Sequence, residues 1–218
     1  MVADSSLLDN ALPYADLFER FLYKVITAKN PAPRWWYFPG YYRGALISTH
    51  DEEAIGGDPR IEEMRAAEES LGVNGTYFLI SDKNITRRWS ESGGLGEWVD
   101  KGMEVGLHWN RFPIPRLKVR RFKFGMHEVP LKKQKRFLEQ EAGVSVTLNR
   151  NHYLAMGTEY GEHFECLASQ GIQMDSSYGP NQGGRGYLFG TGYPYYGLSW
   201  DGRNSGVLEL PFVTQEAW

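Results

Sequence analysis

The 218-residue chain has a single cysteine, Cys166, which excludes an intrachain disulfide and any zinc site built from several cysteines. No apolar run approaches the roughly 18 residues that a membrane-spanning helix requires. Charge of neither sign dominates: 24 Lys and Arg stand against 27 Asp and Glu, a net charge of -3. No basic stripe is present, so nucleic acid is not an expected partner. The opening stretch MVADSSLLDNALPYADLFERFLYK is acidic and amphipathic. It lacks the basic head and apolar centre of a signal peptide, so a cytoplasmic location is expected. Internal repeats and low-complexity linkers are also missing.

What the chain does have is 25 Gly, 13 Tyr and 7 Trp, and enough length for one domain with a large core. Leu17, Phe18, Phe21, Leu22 and Val25 recur at helical spacing and predict a helix over 14–29, with Pro13 just ahead of it. Residues 30–44 read as a Pro/Gly-punctuated aromatic loop. ALISTH, 45–50, reads as the first buried strand. Further helices are expected over 58–72, with Asp58 as N-cap, ending near WVDKG, and over 131–143 and 159–171. Further strands are expected over 74–81, MEVGLHW, 144–153, IQMDSSY and 206–213. The stretch 179–200, rich in glycine and aromatics, reads as a loop.

Strand and helix alternate at least four times, the pattern of a parallel sheet or β/α barrel. In such folds chemistry collects at the carboxyl ends of strands. Here Asp51, Glu52 and Glu53 follow the first strand, and His108 the third. Arg150 and His152 follow the fourth strand, and Asp175 the fifth. Taken singly, each could be a cap or a satisfied core residue. Together they place acids, imidazoles and an arginine at one end of one sheet. Residues two apart on a strand share a face, so Thr49, Asp51 and Glu53 belong together, opposite His50 and Glu52.

In this order the segments STHDEE, NGTYFLIS, KGMEVGLHWN, NRNHYLAMG, GIQMDSSYGPNQGGRGYLFGTGYPYY and LELPF resemble the polysaccharide deacetylase family, over residues 44–213. The resemblance implies a deformed (β/α) barrel over 44–218; residues 1–43 are expected to form an N-terminal helix and aromatic loop packed on it. It implies a hydrolase that removes acetyl groups from a glycan, or from a small amide, by means of a divalent metal, with zinc the first choice. The family continues past the Leu-Pro strand to a further motif with a catalytic histidine. This chain stops at Trp218, so a barrel incomplete at its C-terminus is expected.

By the same resemblance Asp51 is the general base, Arg150 the residue that orients it through a forked pair of hydrogen bonds, and Asp175 a supporting partner to a histidine or arginine. The usual second metal-binding histidine, four residues beyond His108, is replaced here by Phe112. A family branch carries a histidine in the third motif instead, and RNHYL, 150–154, has that form. The expected metal ligands are therefore His108, His152 and a carboxylate, Glu53 by strand parity, with Glu52 the alternative if the chain turns after Asp51. Tyr153 and Arg185 are candidate substrate contacts. The acid for the departing amine is unassigned: His127 lies in a loop, and His163 is expected on a helix surface. The alternative reading is a glycan-binding relative without catalysis. Oligomeric state is left open.

Overall fold

The computed structural model describes residues 12–33, 38, 40, 42–52, 59–81, 94–110, 130–155, 160–179, 187 and 190–213. Helices are α1 (Tyr14–Thr27), α2 (Pro59–Leu71), α3 (Gly94–Asp100), α4 (Leu131–Ala142) and α5 (Tyr160–Ser169). Strands are β1 (Thr49–Glu52), β2 (Thr76–Leu79), β3 (Glu104–Trp109), β4 (Leu148–Asn151), β5 (Met174–Asp175), β6 (Tyr195–Leu198) and β7 (Asn204–Glu209). They form one seven-stranded sheet, order β1-β2-β3-β4-β5-β7-β6, parallel except for the β6–β7 pair. This is the expected α/β architecture. Among the described residues no helix is long and apolar enough to cross a membrane.

The sheet is strongly curled. Arg150 on β4 bonds Thr49 and Asp51 on β1 and Ser176 just beyond β5. In a flat sheet β1 and β4 would lie about 14 Å apart, three inter-strand spacings, beyond one side chain's reach. Strand alternation then gives two faces. Tyr77, Leu79, Val105, Leu107, Trp109 and Val207 point outward and form the core with Ile61, Leu95, Leu131, Leu138, Phe164 and Leu167 of the helices. Thr49, Asp51, Phe78, His108 and Arg150 share the inner face, as the registers Asp51↔Phe78 and His108↔Arg150 require. Gly106 makes room there, since a Cβ at this position would come within 2.5 Å of the Phe78 ring.

Several boundaries differ from the sequence reading. The first strand begins at Thr49, and Leu46, expected inside, is 95% exposed. The ladder explains this: β2 starts at Thr76, whose partner is Thr49, so ALIS has no strand beside it over most of its length. The fourth strand ends at Asn151 because His152–Leu154 fold into a 3-10 turn. Tyr195–Leu198, read as loop, is an antiparallel strand on β7. Helix α4 ends as expected at Gly143, whose φ of 69° is the left-handed conformation glycine adopts without strain. The Asp58 cap lies outside the described residues. No residue of α1 is buried, and the helix is tied to the rest of the chain by Ala15 N–H to Gly190 O (2.8 Å) and Gly192 N–H to Asp16 Oδ2 (3.1 Å). The aromatic loop is described only in part, with the Phe38 ring 6.0 Å from that of Tyr193.

Candidate active site

Arg150 is the centre of the inner face. Its side chain is 3% exposed, yet every bond it makes is to a named acceptor. Nε donates to Ser176 O (3.0 Å), Nη1 to Asp51 Oδ1 (3.0 Å), and Nη2 to both Thr49 Oγ1 and Ser176 Oγ (2.9 Å each). The guanidinium lies between the rings of Phe78 (4.6 Å) and Phe212 (5.0 Å). A planar, delocalised cation suits such a slot, and an ammonium does not. The forked pair on Asp51 is not what forms. One arm reaches Asp51 and the other is taken by Thr49 and Ser176, because the curl brings three strands to one guanidinium. Asp51 therefore keeps Oδ2 clear of Arg150, and its side chain remains 32% exposed.

His108 is buried beside this pair. Its Nδ1 lies 3.0 Å from Arg150 O and 4.0 Å from Asp51 Oδ1. A carbonyl only accepts, so Nδ1 carries the hydrogen and the lone pair sits on Nε2, the form in which a histidine binds a metal. The strand end is clamped by Gln134 of α4, which accepts from Asn110 N–H (3.1 Å) and donates to Asn110 O (2.9 Å). The ring of His152 lies 5.2 Å from that of His108, at 70°. His152 is presented there by the 3-10 turn, in which Tyr153 and Leu154 both have positive φ, 57° and 51°. Left-handed backbone at two side-chain-bearing residues costs of order 1–3 kcal/mol each and gathers at functional sites. The Tyr153 ring lies 4.0 Å from that of His152, tilted by 32°, and the residue is exposed. Glu53 and Arg185 lie outside the described residues. Glu52 is buried on the outer face, in register with Leu79, and so does not share Asp51's side of the sheet. Among the described residues no three His, Cys, Asp or Glu side chains are gathered closely enough to hold a metal ion. The two imidazoles and the tautomer of His108 fit part of a metal site; Glu53, the expected third donor, is not among the described residues.

One sequence expectation needs correction, and another, Asp175 as partner to a histidine or arginine, takes the form of a bond to His163 on the face away from Asp51. His163 is not on a surface: it is fully buried between α5 and the sheet, with Nε2 2.9 Å from Asp175 Oδ2 and its ring stacked near Trp109. Asp175 is likewise fully buried on the outer face, so it cannot meet reacting groups beside Asp51. It accepts from Asn149 Nδ2 and Ser177 Oγ (2.8 Å each), while Ser176, one residue on, faces Arg150. Burial works to raise the Asp175 pKa, but the field of His163 and the bonds from His163, Asn149 and Ser177 outweigh it and hold the carboxyl below its usual range. Sequence reasoning also missed Thr49, Ser176, Phe78 and Phe212, which hold Arg150. Thr49 was legible as the residue two before Asp51; the rest depend on the curl.

No protein-family model matches the chain. No curated protein matches it either. Solved structures similar to it include two named as deacetylases and a domain of a xylanase. The peptidoglycan deacetylase PdaC from Bacillus subtilis is 18% identical over 58% of this chain and 55% of that one, with a TM-score of 0.38. The polysaccharide deacetylase Bc1974 from Bacillus cereus is 17% identical over 61% and 60%, with a TM-score of 0.41. The Xyl-CE4 domain of a multidomain xylanase from the hindgut metagenome of Trinervitermes trinervoides is 16% identical over 57% and 53%, with a TM-score of 0.36. The chain thus spans little more than half the length of these structures.

Proposed function

We propose that the chain is a metal-dependent hydrolase that removes acetyl groups from an N- or O-acetylated glycan. The observation that carries this reading is the inner-face group itself: Asp51 oriented by Arg150, 4.0 Å from His108, with the His152 ring beside it. Nothing in a sheet interior requires an acid, a buried guanidinium and two imidazoles at one end of the sheet. His108 and His152, with Glu53, would hold the metal, zinc being the first choice among those that suit imidazole and carboxylate donors. When bound, a divalent ion polarises the acyl carbonyl and acidifies water.

The residues of the chain supply the rest. Hydrolysis forms a bond from water oxygen to the acyl carbon and breaks the bond to nitrogen or the ester oxygen. The water proton goes to Asp51 Oδ2, the oxygen not engaged by Arg150. Arg150 keeps the carboxylate in place and, through the two phenylalanine rings, keeps water from its underside. The leaving group must receive a proton in turn. His163 is excluded from that task by its place on the other face, and His127 lies outside the described residues. Tyr153 and Arg185 are proposed to contact the sugar.

Metal content of wild type against His152→Ala tests the reading. About one metal ion per chain, lost in the variant, is expected. Metal that survives the variant removes His152 from the site, and no metal in wild type after zinc addition sinks the hydrolase and leaves a non-catalytic glycan-binding relative.

A further inference from the structure

Asp175 and Glu209 occupy paired positions on neighbouring parallel strands, β5 and β7, and both are 0% exposed. Paired residues on adjacent strands project to the same face, so two carboxyl groups stand side by side in the core. All of Asp175's bonds described above are received. Glu209 Oε1 accepts from Tyr178 N–H (3.0 Å), whereas Glu209 Oε2 is buried with no hydrogen-bond partner. An orphaned buried oxygen beside a carboxylate that only accepts is resolved by one hydrogen atom: with it, Oε2 becomes a donor.

We propose that Glu209 is a positioning residue that acts as a neutral carboxylic acid, donating its proton to Asp175 and thereby fixing the strand ends that carry Arg150. The chain of contacts runs from Glu209 to Asp175, then to Asn149 and Ser177. Ser177 Oγ accepts from Asn151 N–H at 2.9 Å, and Asn149 Nδ2 also bonds Asn151 Oδ1 at 3.0 Å. Arg150 lies between these two asparagines and turns to the opposite face. On the far side Asp175 holds His163, so the same acid joins β7, β5, β4 and α5. The charged and titratable groups around Glu209 are Asp175 on β5, its register partner Tyr195 on β6, His163 on α5 beyond Asp175 and, through the sheet, Arg150 on β4. Burial, and then the charge of Asp175, push the Glu209 carboxyl well above its usual range, in keeping with this geometry. The positioning role rests on the hydrolase reading; the location of the proton does not.

Infrared spectra at pH 7 test the proton directly. A protonated-carboxyl C=O band is expected in wild type, shifted by 13C-labelled glutamate and lost in Glu209→Gln. An absent band, one that shifts only with labelled aspartate, or one that persists in Glu209→Gln overturns the proposal. The labelling arm uses wild type alone and decides even if the variant does not fold. Glutamine is the isostere of the neutral acid, so its melting temperature should match wild type below the unfolded glutamate pKa of about 4.3 and exceed it increasingly toward pH 8. The sign follows because a folded pKa raised above the unfolded one makes wild type lose stability as pH rises between the two. A gap that stays flat or reverses with pH overturns the assignment. On an N-acetylglucosamine oligomer, Glu209→Met should turn over about tenfold more slowly while Glu209→Gln restores the rate. Equal rates for all three would remove the positioning role; no turnover in wild type would count against the hydrolase alone.

Discussion

Replacing Arg150 by methionine keeps the aliphatic stem and removes all four hydrogen bonds. The loss can be worked through acceptor by acceptor. Asp51 is about a third exposed and can rehydrate, so its share is small. Ser176 Oγ still donates to Leu210 O at 2.9 Å. Ser176 O and Thr49 Oγ1 lose a charged donor between two aromatic rings, where water has little room, and each unsatisfied acceptor costs about 1–3 kcal/mol. Some stacking on Phe78 and Phe212 is also lost, about 1 kcal/mol. Removing one partner of a fully buried pair costs about 3–5 kcal/mol, and the exposure of Asp51 places this case near 3. For a chain of this size, roughly 2–4 °C accompany each kcal/mol, so melting should fall by about 6–12 °C. Arg150→Lys keeps the charge but not the plane and should recover less than half of that. The measurement is thermal unfolding by circular dichroism at pH 7 in 0.15 M salt. A fall within about 2 °C for methionine, or lysine equal to wild type, would refute the idea that one guanidinium joins β1, β4 and β5.

Asp175→Asn should destabilise at pH 7 by about 3 kcal/mol. It should also flatten the acid limb of the stability profile: a carboxyl held low in the fold contributes stability that is complete above its unfolded pKa of about 3.9 and is lost as pH falls through the folded value. An acid limb identical to wild type would count against its bonds to His163, Asn149 and Ser177. Gly106→Ala should push Phe78 off Arg150 and cost about 1–3 kcal/mol, read by urea unfolding; a neutral result would mean the ring has room to move. Gly143→Ala meets no atom within 4 Å, so only the left-handed backbone is at stake, about 1 kcal/mol by the same assay.

The strand–helix alternation was legible because apolar runs and helical spacing are local signals. Glycine closures were legible for the same reason, as at Gly143. The first strand was misplaced since ALIS is apolar, yet a strand is defined by its partner, and β2 pairs from Thr76 onward. Tyr195–Leu198 was missed because Pro194 just ahead of it and Gly197 within it read as loop, while its pairing with β7 is fixed elsewhere. His163 was misread although a local sign existed: it stands four residues before Leu167 and beside Phe164, on the buried side of α5. Glu209 carried a sign too, as a lone acid within the apolar LELPF. Of the partners of Arg150, Asp51 was read, but Ser176, Phe78 and Phe212 could not be, since they meet the guanidinium only through the curvature of the sheet.

The two networks depend on one property of strands. Asn149, Arg150 and Asn151 are consecutive, and the period of two sends the asparagines outward and the arginine inward. Asp175 and Ser176 divide in the same way on the next strand. An acid on the outer face can therefore fix the backbone of a site on the inner face without touching it. This explains why Asp175 follows a strand in the manner of a catalytic residue while being sealed from solvent. It also sets the order of effects: Asp51→Asn should impair chemistry and cost less stability than Asp175→Asn, since Asn keeps an oxygen for Arg150, which Thr49 and Ser176 still bond. Substitutions at Asp175 should impair both together. If Asp51→Asn lowered melting as much as Asp175→Asn, measured side by side at pH 7, the division of labour between the two faces would be wrong.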